Sequence, residues 1–105
     1  MITRIFCSLR FEAMHLWKDA IPEVAFLAEA HRHEFHVRAE KTVSHNDRDI
    51  ELILLKRAIL GTIEKMRDQS LTWSCETWAQ NILEAHNLDR VEVSEDGENG
   101  AVVER

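Results

Sequence analysis

Cysteine is scarce in this 105-residue chain: only Cys7 and Cys75 occur, far apart in sequence. Two distant thiols give neither a disulfide framework nor a Cys-x-x-Cys metal knuckle, and a reducing compartment fits them. Cys7, within an apolar alternating stretch, reads as a small buried hydrophobe. Cys75, near the start of a predicted helix, has two readings: a structural thiol, or one whose pKa is lowered by the helix dipole. Positive charge is also short, with 13 Lys and Arg against 19 Asp and Glu, a formal net charge of −6. Nucleic-acid affinity comes mainly from clustered Lys and Arg on phosphates, so no nucleic-acid partner is expected. No apolar run approaches the ~20 residues of a membrane span. The N-terminus lacks a basic segment followed by an apolar stretch and a small-residue cleavage site. No membrane association is therefore expected, and the expected location is cytoplasmic. The 45% hydrophobic and 30% charged content argues for a folded globular chain and against disorder. Its length suits one domain spanning residues 1–105.

Histidine is not scarce. Six are present, and His31-Arg32-His33 places two of them at i and i+2. Side chains alternate between faces along a strand, so His31, His33, Phe35 and Val37 share one side, and Arg32, Glu34, His36 and Arg38 the other. The same parity over residues 3–15 groups Ile5, Cys7, Leu9, Phe11, Ala13 and His15. A third imidazole could thus converge on the first two. Three neutral imidazoles with an open fourth position form a catalytic rather than a structural zinc arrangement. Six histidines in so short a chain also produce a His-x-His pair by chance, and spacing alone leaves both readings open.

The alternation predicts strands over residues 2–15 and 31–43, pairing antiparallel across a connection, residues 17–28, that holds the only proline, Pro22, and could close over a site. Ser44-His45-Asn46-Asp47 reads as a turn. From residue 49 to 67, Leu52, Leu55, Ile59, Ile63 and Met66 recur at three and four positions, predicting an amphipathic helix with that core face. Ser74 is a candidate N-cap for a second helix carrying Trp78, Ala79, Ile82 and Leu83 and ending near Asn87. Residues 89–95 alternate with Val91 and Val93 inward, and Gly97 and Gly100 bracket a turn before Ala101, Val102 and Val103, a closing hairpin. The order strand-strand-helix-helix-strand-strand predicts an α+β domain, a four-stranded antiparallel sheet with two helices on one face. Such a sheet leaves two edges, for which pairing with neighbouring subunits is a remedy, so a homo-oligomer is expected.

On these residues the chain resembles the 6-pyruvoyl-tetrahydropterin synthase and 6-carboxytetrahydropterin synthase family, tunnelling-fold enzymes of pterin and 7-deazaguanine (queuosine) biosynthesis. Phe11-Glu12-Ala13-Met14-His15 is similar to the family's Phe-x-Ala-x-His, and His31-Arg32-His33-Glu34-Phe35 to its His-Gly-His followed by a polar and an aromatic residue. Glu51-Leu52-Ile53-Leu54-Leu55-Lys56 resembles Asp-Phe-x-x-Leu-Lys, Ser74-Cys75-Glu76 resembles Thr-x-Glu, and Val91-Glu92-Val93-Ser94-Glu95 resembles Val-x-Val-x-Glu. The resemblance implies zinc held by His15, His31 and His33, and a pterin-like small-molecule substrate bound by Glu95 and Glu76. Glu95 would anchor the ring, since a carboxylate accepts two parallel hydrogen bonds from a ring N–H and an exocyclic amine. It also implies a trimer or hexamer.

The departures concern proton transfer. The family's cysteine a few residues before the first zinc histidine has no counterpart, since the chain there reads Phe26-Leu27-Ala28-Glu29-Ala30, and the family's Asp-His pair falls at Asp68-Gln69, an amide that cannot titrate. Arg32 replaces the glycine between the two zinc histidines. Glu29, as in family variants that cleave the dihydroneopterin side chain, and Asp68 are then the candidate catalytic groups. Two function classes follow: a zinc-dependent synthase- or lyase-like enzyme acting on a dihydroneopterin-like substrate, or a catalytically inactive relative that binds zinc and a purine- or pterin-like ligand as a binding or assembly protein.

Overall fold

A computed structural model describes all 105 residues, Met1–Arg105. Strand β1, Thr3–His15, and strand β2, His31–Val43, pair antiparallel along their whole length, from Thr3 opposite Val43 to His15 opposite His31. Helices α1, Leu52–Met66, and α2, Cys75–Ala85, follow, then strands β3, Arg90–Glu95, and β4, Asn99–Glu104. The sheet order is β1-β2-β3-β4, antiparallel throughout. This is the α+β architecture expected: four strands with both helices on one face, α1 against β1 and α2 against β3 and β4.

The alternation sets the faces. Cys7, Leu9, Phe11 and Ala13 from β1 and Phe35, Val37 and Ala39 from β2 are buried, together with Val91 and Val93 of β3. Phe11 stacks on Phe35 at 5.2 Å between centroids, and Trp78 of α2 tilts against both at 4.7 and 6.3 Å. Even-numbered residues face outward as a lattice of charge, in which Arg32 pairs with Glu12 at 3.3 Å and Arg90 with Glu40 and Glu92 at 2.9 Å. Exposed pairs such as Arg32–Glu12 contribute little each, and burial of the apolar face is the larger source of stability.

Both helices are capped by side chains. Glu51 accepts from the Leu54 N–H at 2.7 Å, and Ser74, as expected, from the Thr77 N–H at 3.1 Å. Asp49 is not helical; it accepts from the Ser44 N–H and hydroxyl, holding the turn before α1. Helix α2 ends with Asn87 at φ 49°, and the Leu88 N–H donates to the Leu83 carbonyl at 2.9 Å, a Schellman closure that buries Leu88.

Two local expectations are corrected. The core face of α1 is Ile59 and Ile63, flanked by Leu55, Leu60 and Met66, whereas the Leu52 side chain is about half exposed, because it is the Leu52 carbonyl, accepting from the Cys7 thiol at 3.5 Å, that meets β1. Gly100 is not in the last turn but inside β4, opposite Ser94. A Cβ there would sit 2.0 Å from the Val93 carbonyl oxygen, so close backbone approach requires glycine. The turn is Asp96-Gly97, both at positive φ (57° and 75°), with the Glu98 N–H donating to the Glu95 carbonyl at 3.0 Å. That is the Asp-Gly hairpin pattern, and it sets the direction in which β3 delivers Glu95 and Asp96.

Candidate metal centre

The β1–β2 register brings the three histidines together. His15 and His31 are direct cross-strand partners, and His33, opposite Ala13, lies on the same face one step along. Ring centroids are 4.4 Å apart for His15 and His31, 5.0 Å for His15 and His33, and 4.8 Å for His31 and His33. Strand β3 adds Glu95 from opposite Phe35. Its Oε2 lies 2.7 Å from His33 Nε2 and 3.3 Å from His15 Nε2. One donor atom from each of the four residues falls within 4.8 Å of the others.

The orientation of the rings matters more than their proximity. Nε2 of His15 and of His31 is buried without a hydrogen-bond partner. The outer nitrogens of His31 and His33 are tied: His31 Nδ1 donates to the Glu29 carbonyl and His33 Nδ1 to Asp96 Oδ2, both at 2.7 Å. A proton on Nδ1 leaves the Nε2 lone pair facing inward, which is the tautomer a metal requires. Burial holds the His15 pKa below that of a free imidazole. His31 and His33 push the same way, while Glu95 and a hydrogen bond to the Trp73 backbone oppose them. His15 is thereby kept in its neutral, ligating form. Leaving two buried acceptors unpaired costs about 1–3 kcal/mol each. A cation satisfies both, and three imidazoles with one carboxylate are a donor set for a divalent metal ion. This cluster could hold one.

The site opens on a cavity of about 550 Å³ lined in part by His15, Trp17, Trp73, Cys75, Glu76 and Glu95. Backbone bonds position its walls. The Leu16 N–H donates to the Leu71 carbonyl at 2.8 Å and the Trp17 N–H to the Leu27 carbonyl at 2.7 Å, so β1 runs on between the two flanking loops. The connection carrying Pro22 forms a 3-10 segment, Pro22–Ala28, and its Leu27 also lines the cavity. It flanks the site. Cys75 is buried at the cavity wall, its Sγ 4.0 Å from Glu95 Oε1. Burial, with the Glu95 and Glu76 carboxylates, pushes its thiol up to about 12. Of the two readings of Cys75 the structural one holds: desolvation and two anions outweigh the N-terminal dipole, and the thiol is not a ready nucleophile.

The structure thus brings together His15, His31, His33 and Glu95, with Glu76 on the same cavity. Glu29 and Asp68 do not line the cavity, and both are exposed. Glu29 meets the cluster only through its backbone carbonyl. Asp68 lies in the 3-10 turn Arg67–Gln69 after α1. Sequence reasoning passed over Trp73, whose backbone meets His15, and Asp96, which holds His33; the Asp-Gly dipeptide at 96–97 was the available sign of a built turn there. No helix is long and apolar enough to cross a membrane. No protein-family model matches the chain, and no curated protein matches it.

Proposed function

We propose that this protein is a zinc-dependent, 6-pyruvoyl-tetrahydropterin synthase-like protein that takes a dihydroneopterin-like heterocycle, a pterin or 7-deazaguanine precursor, in the cavity beside His15. The observation that carries the metal half of the reading is the pair of inward, unpartnered Nε2 atoms on His15 and His31. Bound zinc supplies Lewis-acid polarisation of a substrate side-chain oxygen. Around it, His15, His31 and His33 hold the ion. Trp17 and Trp73 offer apolar area to a planar ring, and Glu76 and Glu95 offer carboxylate acceptors to its N–H groups. Because Glu95 lies within reach of both the ion and the cavity, ring binding and metal closure compete for it. Exposed edges on β1 and β4, with Ile53, Leu54 and Phe26 exposed nearby in the chain's helical surface, support assembly into a homo-oligomer, trimer or hexamer.

A second reading, a metal- and heterocycle-binding protein without turnover, is favoured by one specific observation. The cavity wall presents Leu27 and a high-pKa Cys75, and no acid or base of the two catalytic candidates reaches it. Incubation of the zinc-loaded protein with 7,8-dihydroneopterin and with its triphosphate, read by mass spectrometry, separates the two. Product formed by the zinc-loaded protein and lost in His31→Ala supports the enzyme, and saturable binding without product supports the binder. Failure to bind either compound removes the heterocycle from the proposal. A monomer in sedimentation would count against assembly.

A further inference from the structure

We infer that Asp96 is a positioning residue of the metal centre, fixing His33 as a ligand from outside the ring of donors; this rests on the metal reading above. Three bonds define its place. Oδ2 accepts from His33 Nδ1 at 2.7 Å, Oδ1 accepts from the Glu34 N–H at 3.1 Å, and the Asp96 N–H donates to the Glu34 carbonyl at 2.7 Å. The residue adopts φ 57°, which the Asp-Gly turn requires. Asparagine or glycine serves such a turn as well as aspartate, so turn geometry alone does not call for a carboxylate. His33 does. Of the three imidazoles, it is the one whose outer nitrogen meets an anion; His31 bonds a backbone carbonyl instead.

The left-handed step at Asp96 has a geometric consequence. Two consecutive carboxylates, Glu95 and Asp96, face opposite nitrogens of one ring, Glu95 at Nε2 and Asp96 at Nδ1, each at 2.7 Å. Glu95 is thereby available as a fourth donor, while Asp96 holds the proton on Nδ1 and orients the ring. Carboxylate–histidine–metal arrangements of this kind typically strengthen metal affinity 10–100-fold.

The test is a competition titration of zinc into the full-length chain, with the cobalt-substituted visible spectrum as a second readout, for the unaltered protein, Asp96→Asn and Asp96→Gly. Both variants keep a residue suited to positive φ. Zinc affinity is expected to fall about 10–100-fold in each, with altered cobalt band intensity, while the metal-free melting temperatures stay close to that of the unaltered protein. Unchanged affinity and spectrum in both variants would overturn the inference while leaving the metal centre standing. Collapse of the metal-free fold in both variants would reduce Asp96 to a turn residue and overturn it too. Absence of zinc binding by the unaltered protein would instead overturn the metal centre itself, and this role with it.

Discussion

Replacing the candidate ligand His31 with an apolar residue should cost the metal-free protein little stability or raise it, an inversion of the usual effect of mutating a half-buried polar residue. In His31→Leu the lost hydrogen bond from Nδ1 to the Glu29 carbonyl, 2.7 Å long, contributes about 0.5–1.5 kcal/mol. Against that, the substitution removes a buried acceptor with no partner, Nε2, which costs about 1–3 kcal/mol. The net change without metal is therefore between about 0.5 kcal/mol of destabilisation and about 2.5 kcal/mol of stabilisation. With zinc the sign reverses. At a free zinc concentration 100 times the dissociation constant, the unaltered protein gains about 2.7 kcal/mol. At about 4–8 °C per kcal/mol for a domain of this size, that is a rise in melting temperature of about 10–20 °C. Calorimetry of both proteins, each with chelator and with zinc, reads all four values. Destabilisation of metal-free His31→Leu by more than about 2 kcal/mol would refute the cost assigned to the orphaned nitrogen.

Further outcomes follow from the same geometry. Gly100→Ala should disrupt the β3–β4 pairing, since its Cβ would meet the Val93 carbonyl at 2.0 Å, and faster amide exchange in residues 90–104 reads this directly. Ile63→Ala, in the fully buried face of α1, should cost about 2–5 kcal/mol in denaturant unfolding, whereas Leu52→Ala should cost far less. Burial holds His86 below the ordinary imidazole pKa, so the unfolded chain binds its proton first as pH falls. The stability His86 supports is complete above about pH 6.5 and is lost as pH drops toward its lower folded value; His86→Gln should flatten the stability profile of the chelated protein below about pH 6.5. In a Cys7→Ala background, Glu95→Gln should lower the Cys75 thiol pKa from about 12 but leave it above that of a free thiol, because burial is the larger cause; thiolate absorbance against pH measures it.

Much of the fold was legible because the long strands alternate without interruption. Strand β2 was expected at residues 31–43 and forms there, and β1 begins one residue later than expected. The side-chain period of two leaves little freedom over thirteen residues when one face is apolar. The pairing of His15 with His31, by contrast, depends on a register set across the intervening connection, so parity could nominate the three histidines but not converge them. Leu52 satisfied helical periodicity yet its side chain is exposed, since at the helix start it is the Leu52 carbonyl that meets Cys7 of β1, which periodicity does not register. Gly100 looked like a turn residue, but its reason is a backbone approach that exists only once β3 and β4 pair. For Cys75 and Glu29 the deciding facts were tertiary: which anions lie beside the thiol, and that a carbonyl rather than a carboxylate faces His31. Asp96 was invisible because an aspartate before a glycine already has a sufficient local explanation.

The central claim is that the inward faces of His15, His31 and His33 form a metal site. Zinc content of the purified protein, measured alongside His31→Ala after identical preparation, tests it most directly. About one zinc per chain in the unaltered protein and close to none in His31→Ala is the expected result. Equal metal content in the two proteins, or no metal in the unaltered protein even after incubation with excess zinc, would contradict it.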